Sequence, residues 1–247
     1  MVVEEKLEVP TRDGAAEAYV YRPDASGGPW PGAIMYTDIA GIRPAYHRIA
    51  QKLSEQGFVV LFPNIFYRVS RLPVFDFTPR MGDERTMKRL GELRSGLNAE
   101  QMLSDGASYT DFLFAQKGVM PGKAGVVGYC FTGSMAMRTA AARPERIGAA
   151  VSFHGGGLAT DQPESPHLLL PRIEARLYFG HAIEDRSMPA EAIVKLEAAL
   201  KAWGRRFESE TYEGARHGWT HSDSPVYNEA QAERAFAKLT ALFKEML

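Results

Sequence analysis

Short, continuous apolar runs alternate along this chain with segments of helical periodicity, and that alternation narrows the fold more than any other feature. The runs are Ala33 to Tyr36, Phe58 to Phe62 and Ala124 to Val127, with Ala149 to Phe153 and Ala175 to Phe179 reading as further strands. A strand that is apolar along its whole length must be covered on both faces, as a central parallel strand is. Tyr46 to Gln56 carries apolar residues at helical spacing (Tyr46, Ile49, Ala50, Leu53) and stops at Gly57. Ala99 to Gln116, Phe131 to Ala142, Ala190 to Trp203 and Val226 to Glu245 also read as helices, and Glu208 to Tyr212 reads as the last strand. Glu17 to Arg22 alternates polar with apolar and predicts an edge strand. Strand, helix, strand succession predicts right-handed parallel crossovers, hence an α/β fold with a mainly parallel central sheet and helices on both faces.

At 247 residues the chain fits one domain, residues 1–247. Residues 64–98 interrupt the alternation with Pro73, Pro79, Gly82, Gly91, Gly96 and scattered arginines. A long irregular segment in a compact domain is expected to act as a lid or a pocket-lining insertion. With 45% hydrophobic residues, 24% charged residues and a formal net charge of -1, no nucleic-acid or membrane partner is expected. A small molecule is the expected ligand. The single cysteine cannot close an internal disulfide, and Met1 to Lys6 lacks the basic start and apolar core of a secretory signal, so a reducing, cytoplasmic setting is expected.

That cysteine stands in Gly128-Tyr129-Cys130-Phe131-Thr132-Gly133, between an apolar strand and a helical run. A thiol raised on a strand-to-helix turn is a candidate nucleophile, because the N–H groups that open the helix can stabilise an oxyanion. A buried structural cysteine is the competing reading. The thiol needs a base, and the base an orienting acid. His217, in a glycine-flanked loop after the last strand, is the best-placed base. Asp185, after the strand Ala175 to Phe179, is the candidate acid, with a plain turn residue as the alternative. Nucleophile, acid, histidine is the chain order of α/β-hydrolases, and here it reads Cys130, Asp185, His217. His154-Gly155-Gly156-Gly157 looks like a lipase oxyanion motif, but it follows the nucleophile, and so reads as a turn at a strand end with His154 touching the pocket. His221 and Asp223 invite a metal reading, but Gly218 and Pro225 argue against a helix holding His217 and His221 on one face. No metal or cofactor is expected.

These motifs resemble the dienelactone hydrolase family of α/β-hydrolases, and the likeness covers nearly the whole chain. It is carried by Asp38-Ile39-Ala40-Gly41 after a buried strand, Gly57-Phe58 before a strand ending in Pro63, Gly128-Tyr129-Cys130, Asp185 with Pro189, and Gly214-Ala215-Arg216-His217. The resemblance implies an α/β-hydrolase fold and hydrolysis of a small ester or lactone. In it Cys130 attacks the carbonyl, His217 moves the proton, Asp185 orients His217, and the N–H groups of Phe131 and Ile39 form the oxyanion hole. Asp38 stands where the family has a glutamate that contacts the resting thiol, so it is the expected thiol-contacting carboxylate. Thr132 replaces an elbow glycine. The arginine that grips a substrate carboxylate is missing, Trp219-Thr220-His221 occupying its stretch. Arg43, Tyr129, His154 and Trp219 are candidate substrate contacts, and Arg43, Arg68, Arg71 and Arg80 are candidate partners for an anionic substrate. A second expectation, motivated by Asp38 and Thr132, is a hydrolase-like protein that binds a small molecule with little or no turnover.

Overall fold

The computed structural model describes residues 1–24, 27–80 and 82–247. Its strands are β1 (Val3–Thr11), β2 (Gly14–Arg22), β3 (Gly32–Met35), β4 (Val59–Pro63), β5 (Ala124–Tyr129), β6 (Ile147–Phe153), β7 (Arg176–Ile183) and β8 (Phe207–Arg216). The helices are α1 (Pro44–Glu55), α2 (Glu84–Ser95), α3 (Ala99–Phe114), α4 (Gly133–Ala142), α5 (Ala190–Trp203) and α6 (Glu229–Met246). One sheet runs β1-β2-β4-β3-β5-β6-β7-β8. The β1/β2 and β2/β4 pairs are antiparallel, and every pair from β4 to β8 is parallel.

Side chains on a strand alternate between faces, so each buried strand feeds two cores. Ile34, Val126 and Ala150 join the cluster under α3, α4 and α5, while Ala33, Val127 and Val151 join the one under α1 and α6. Local chemistry fixes the helix ends. Pro44 occupies the first turn of α1, and Asn98 with Gln101 forms a capping box on α3.

The edge of the sheet differs from the sequence reading. β2 is interior, because the polar Val3–Thr11 segment pairs with it along its full length and takes the edge. Most of β1 is solvent-exposed, so it lacks the apolar pattern by which strands are recognised. Residues 64–98 contain one regular helix, α2, and are pinned at several points. The Asn64 side chain donates to Ser70 O and accepts from Phe66 N–H, and Arg68 makes a two-pronged ion pair with the buried Asp105.

The chain steps from β3 outward to β4 and then returns past β3 to β5. Ligands of open α/β sheets bind beyond the strand ends at such a switch point. Here it places the loop after β3 beside the turn after β5, with Tyr36 N–H bonded to Val127 O at 2.9 Å.

Candidate active site

Cys130 follows β5 with a backbone φ of 59°, a left-handed conformation that costs a non-glycine residue about 1–3 kcal/mol and persists only where its surroundings enforce it. Those surroundings are tight. A Cβ on Gly128 would lie 2.1 Å from Thr132 O, and one on Gly133 would lie 2.1 Å from Ser152 Oγ. These two glycines are the ones the elbow requires. Thr132 fits because its buried hydroxyl closes the turn, accepting from Tyr129 N–H at 2.8 Å and donating to Tyr129 O at 2.7 Å. A 3-10 turn, Cys130–Thr132, leads into α4, and Phe131 lies in its first turn, where helices leave N–H groups without intrahelical partners. Across the β3/β5 boundary, Ile39 sits in a turn closed by Gly41 N–H to Asp38 O at 3.2 Å and Ala40 N–H to Asp38 Oδ1 at 2.9 Å.

The acid and the base come from the β7/β8 edge. His181 pairs with Thr211, but two residues on Ile183 pairs with Arg216 rather than with the Glu213 that an unbroken register would supply. This bulge, with Gly214 at φ 70°, carries His217 forward to the Asp185 turn. His217 Nδ1 lies 2.7 Å from Asp185 Oδ2, while the other carboxylate oxygen accepts from Ser187 N–H and Oγ–H at 2.8 and 2.7 Å. Burial alone would lower the His217 imidazolium, but the hydrogen bond to Asp185 and the influence of the nearby Cys130 side chain outweigh it and raise it to about 10. Burial would raise the Asp185 carboxyl, and its bonds from His217 and Ser187 bring it below the usual carboxylate range. The structure therefore joins His217 and Asp185 by a hydrogen bond, and the Cys130 side chain is one of the groups whose influence raises the His217 imidazolium. Ser187 escaped the sequence reading, although a serine two residues after an aspartate is a recognisable turn signal.

The remaining expected site residues are placed differently. Asp38 does not contact the thiol: its carboxylate takes both terminal nitrogens of Arg43 at 2.7 and 2.9 Å and faces His221 Nε2 at 3.2 Å. A shorter side chain anchored to its own turn meets the nearby guanidinium first. Arg43 also donates to Asp223 at 2.7 Å, so both carboxylates neutralise it. Trp219 is fully buried, stacked on Tyr212 at 5.0 Å, and Tyr129 is buried between Phe153 and Tyr46. Trp219 has no face open to substrate, because the turn after β8 tucks its largest apolar side chain inward. His154 is 1% exposed and lies beneath the elbow. Phe66 approaches the ring of Phe131 at 6.2 Å, and Val74 closes on Gly41, so part of residues 64–98 packs against both halves of the expected oxyanion hole. A separate cavity of about 190 Å³ between α1 and α6 touches Tyr129 and Thr220 but is not walled by Cys130, Asp185 or His217. Among the described residues no cluster of His, Cys, Asp and Glu has the geometry to hold a metal ion.

The model of the dienelactone hydrolase family matches residues 16–247. The chain belongs to that family. A Synechocystis sp. protein named "Putative carboxymethylenebutenolidase" is 27% identical over 246 residues, covering 98% of this chain and 96% of the relative. An Escherichia coli K12 protein of the same name is 25% identical and covers 96% and 85%. The crystal structure titled "Putative Dienelactone Hydrolase" from Klebsiella pneumoniae superposes with a TM-score of 0.86 at 20% identity, covering 99% of each chain. The α/β-hydrolase fold is thus shared with solved family members, and the chain is a hydrolase of this family. No helix among the described residues is long and apolar enough to cross a membrane.

Proposed function

We propose that this hydrolase opens small, uncharged esters or lactones through a Cys130 thioester. The observation that carries the reading is the His217 imidazole, held through Nδ1 by Asp185 at 2.7 Å, with the strained elbow residue Cys130 close enough to raise its ionisation. Cys130 Sγ gives its proton to His217 and attacks the acyl carbonyl, and the carbonyl oxygen gathers negative charge opposite the N–H groups of Phe131 and Ile39. His217 passes its proton to the leaving alkoxide as the C–O bond breaks, and in a lactone that alkoxide stays tethered to the acyl group. Water, deprotonated by His217, then cleaves the thioester, releasing the carboxylic acid and restoring the thiol. Asp185 stabilises the imidazolium in both halves.

Charge around the site supports a neutral substrate. Arg43 is neutralised by Asp38 and Asp223, Arg68 by Asp13 and Asp105, and Arg71 is paired to Glu8 and Glu17. A substrate carboxylate would have to displace one of these partners. Turnover is favoured over mere binding because Thr132, one motive for a binder, is accommodated by its own hydrogen bonds without loss of the strained elbow. The decisive test is a panel of neutral and carboxylated aryl esters and lactones on wild type and Cys130→Ala. Hydrolysis of the neutral members should fall by about 10⁴-fold or more in the variant. Undiminished turnover by Cys130→Ala overturns the reading.

A further inference from the structure

The register of β5 against β6 pairs Tyr129 with Phe153, which sets the next residues, Cys130 and His154, side by side. Both adopt left-handed backbone conformations, Cys130 at φ 59° and His154 at φ 40°. The N–H of Cys130 donates to His154 Nδ1 at 3.1 Å. A nitrogen that accepts a backbone N–H carries no proton, so the ring is the neutral tautomer with its hydrogen on Nε2. That hydrogen points to Thr220 Oγ1, 2.9 Å away. The backbone of His154 is fixed as well, its N–H bonding Gly180 O at 2.7 Å.

We infer that His154 is a positioning residue for the nucleophile, its neutral imidazole holding the Cys130 backbone through Nδ1 while Thr220 holds the imidazole. This rests on the reading of Cys130 as the nucleophile and adds to it a group that touches neither substrate nor thiol. The N–H of a residue on a strained turn is the group most exposed to loss of pairing, since the strand ladder has ended and the helix has not begun. In this chain a side chain supplies the missing acceptor. Two neighbouring histidines make a protonated His154 unfavourable: His217 lies at 4.9 Å and His221 at 6.4 Å between centroids. Burial first, then His217 and His221, holds its ionisation well below the ordinary histidine value. A ring that stays neutral keeps its acceptor while His217 gains and loses protons 4.9 Å away.

The test compares His154→Gly with His154→Asn. Both residues tolerate the left-handed backbone, so strain cancels, but only asparagine offers an acceptor, Oδ1, at the same remove from the backbone as Nδ1. His154→Gly should lower kcat about 10–100-fold with KM little changed, the scale of a small misplacement of a reacting group. Alkylation of Cys130 by iodoacetamide at pH 7 should slow in the same direction, and His154→Asn should recover at least about tenfold of either loss. The inference is overturned by a His154→Gly that alkylates at the wild-type rate. It is equally overturned by a His154→Asn as slow as the glycine variant. A purely structural histidine would lower the melting temperature in both variants and leave alkylation unmoved. Should His154→Gly fail to fold, Thr220→Val decides: it leaves Nδ1 in place but removes the Nε2 acceptor, and should slow alkylation by roughly 3–10-fold, an unaltered rate refuting the role. Alkylation needs no substrate, so a failed ester assay with intact alkylation differences would count against the proposed reaction and not against His154.

Discussion

Two histidines paired with aspartate flank His154, and they differ in how many carboxylates each one meets. Asp185 divides its oxygens between His217 and Ser187, and it meets only the Nδ1 of His217. His221 is enclosed: Nδ1 faces Asp223 at 2.8 Å and Nε2 faces Asp38 at 3.2 Å, with Arg43 spanning both carboxylates. The residue types are the same in the two pairs. What separates the proposed dyad from a closed ionic cluster is that one imidazole nitrogen of His217 meets no carboxylate, and the β-bulge carries His217 to the Asp185 turn.

The largest effects should fall on the open pair. His217→Gln is expected to reduce kcat for a neutral aryl ester on the order of 10³-fold or more, and to slow iodoacetamide alkylation of Cys130 at pH 7. His221→Gln should change kcat by less than about tenfold, and comparable losses in the two variants would erase the distinction. Next comes Asp38→Asn, which removes one of the two carboxylates neutralising Arg43. It should shift the kcat/KM ratio of a carboxylated ester over its neutral analogue upward by roughly 3–10-fold. An unchanged ratio would mean that Arg43 does not face the substrate.

Stability should also separate the pairs by pH. His217 is raised to about 10 from an unfolded value near 6.5, so its contribution is complete below about pH 6.5 and fades as pH rises through about 10. Asp185 is depressed, so its share is present above about pH 3.9 and lost as pH falls through its lowered folded value. The melting-temperature gap between wild type and Asp185→Asn should therefore be widest between about pH 4 and 6.5 and close toward pH 10. A flat gap over that range would argue against the coupled dyad. The smallest effect is expected from Thr132→Gly, which loses the hydroxyl bonds to Tyr129 and adds backbone freedom, costing about 1–2 kcal/mol by denaturant unfolding.

Much of this molecule is legible in one dimension. Apolar runs such as Ala124 to Val127 must be buried on both faces, and residues such as Tyr46, Ile49 and Leu53 share one stripe of a helix. Periodicity alone therefore gives the parallel sheet and its covering helices. The order Cys130, Asp185, His217 follows from the same reading, since each closes its own strand. The edge strand Val3–Thr11 was not legible, because a half-exposed strand needs only its partner's hydrogen bonds and leaves no apolar trace. Nor was the shift from Glu213 to Arg216 opposite Ile183, which depends on pairing between strands far apart in sequence. Sequence alone determined which residue types stand at the strand ends. Tertiary structure alone decided which of them pair, placing His154 under the nucleophile, Asp38 on Arg43 and Trp219 in the core, because hydrogen bonds and ion pairs form by distance in space and short side chains take the nearest partner.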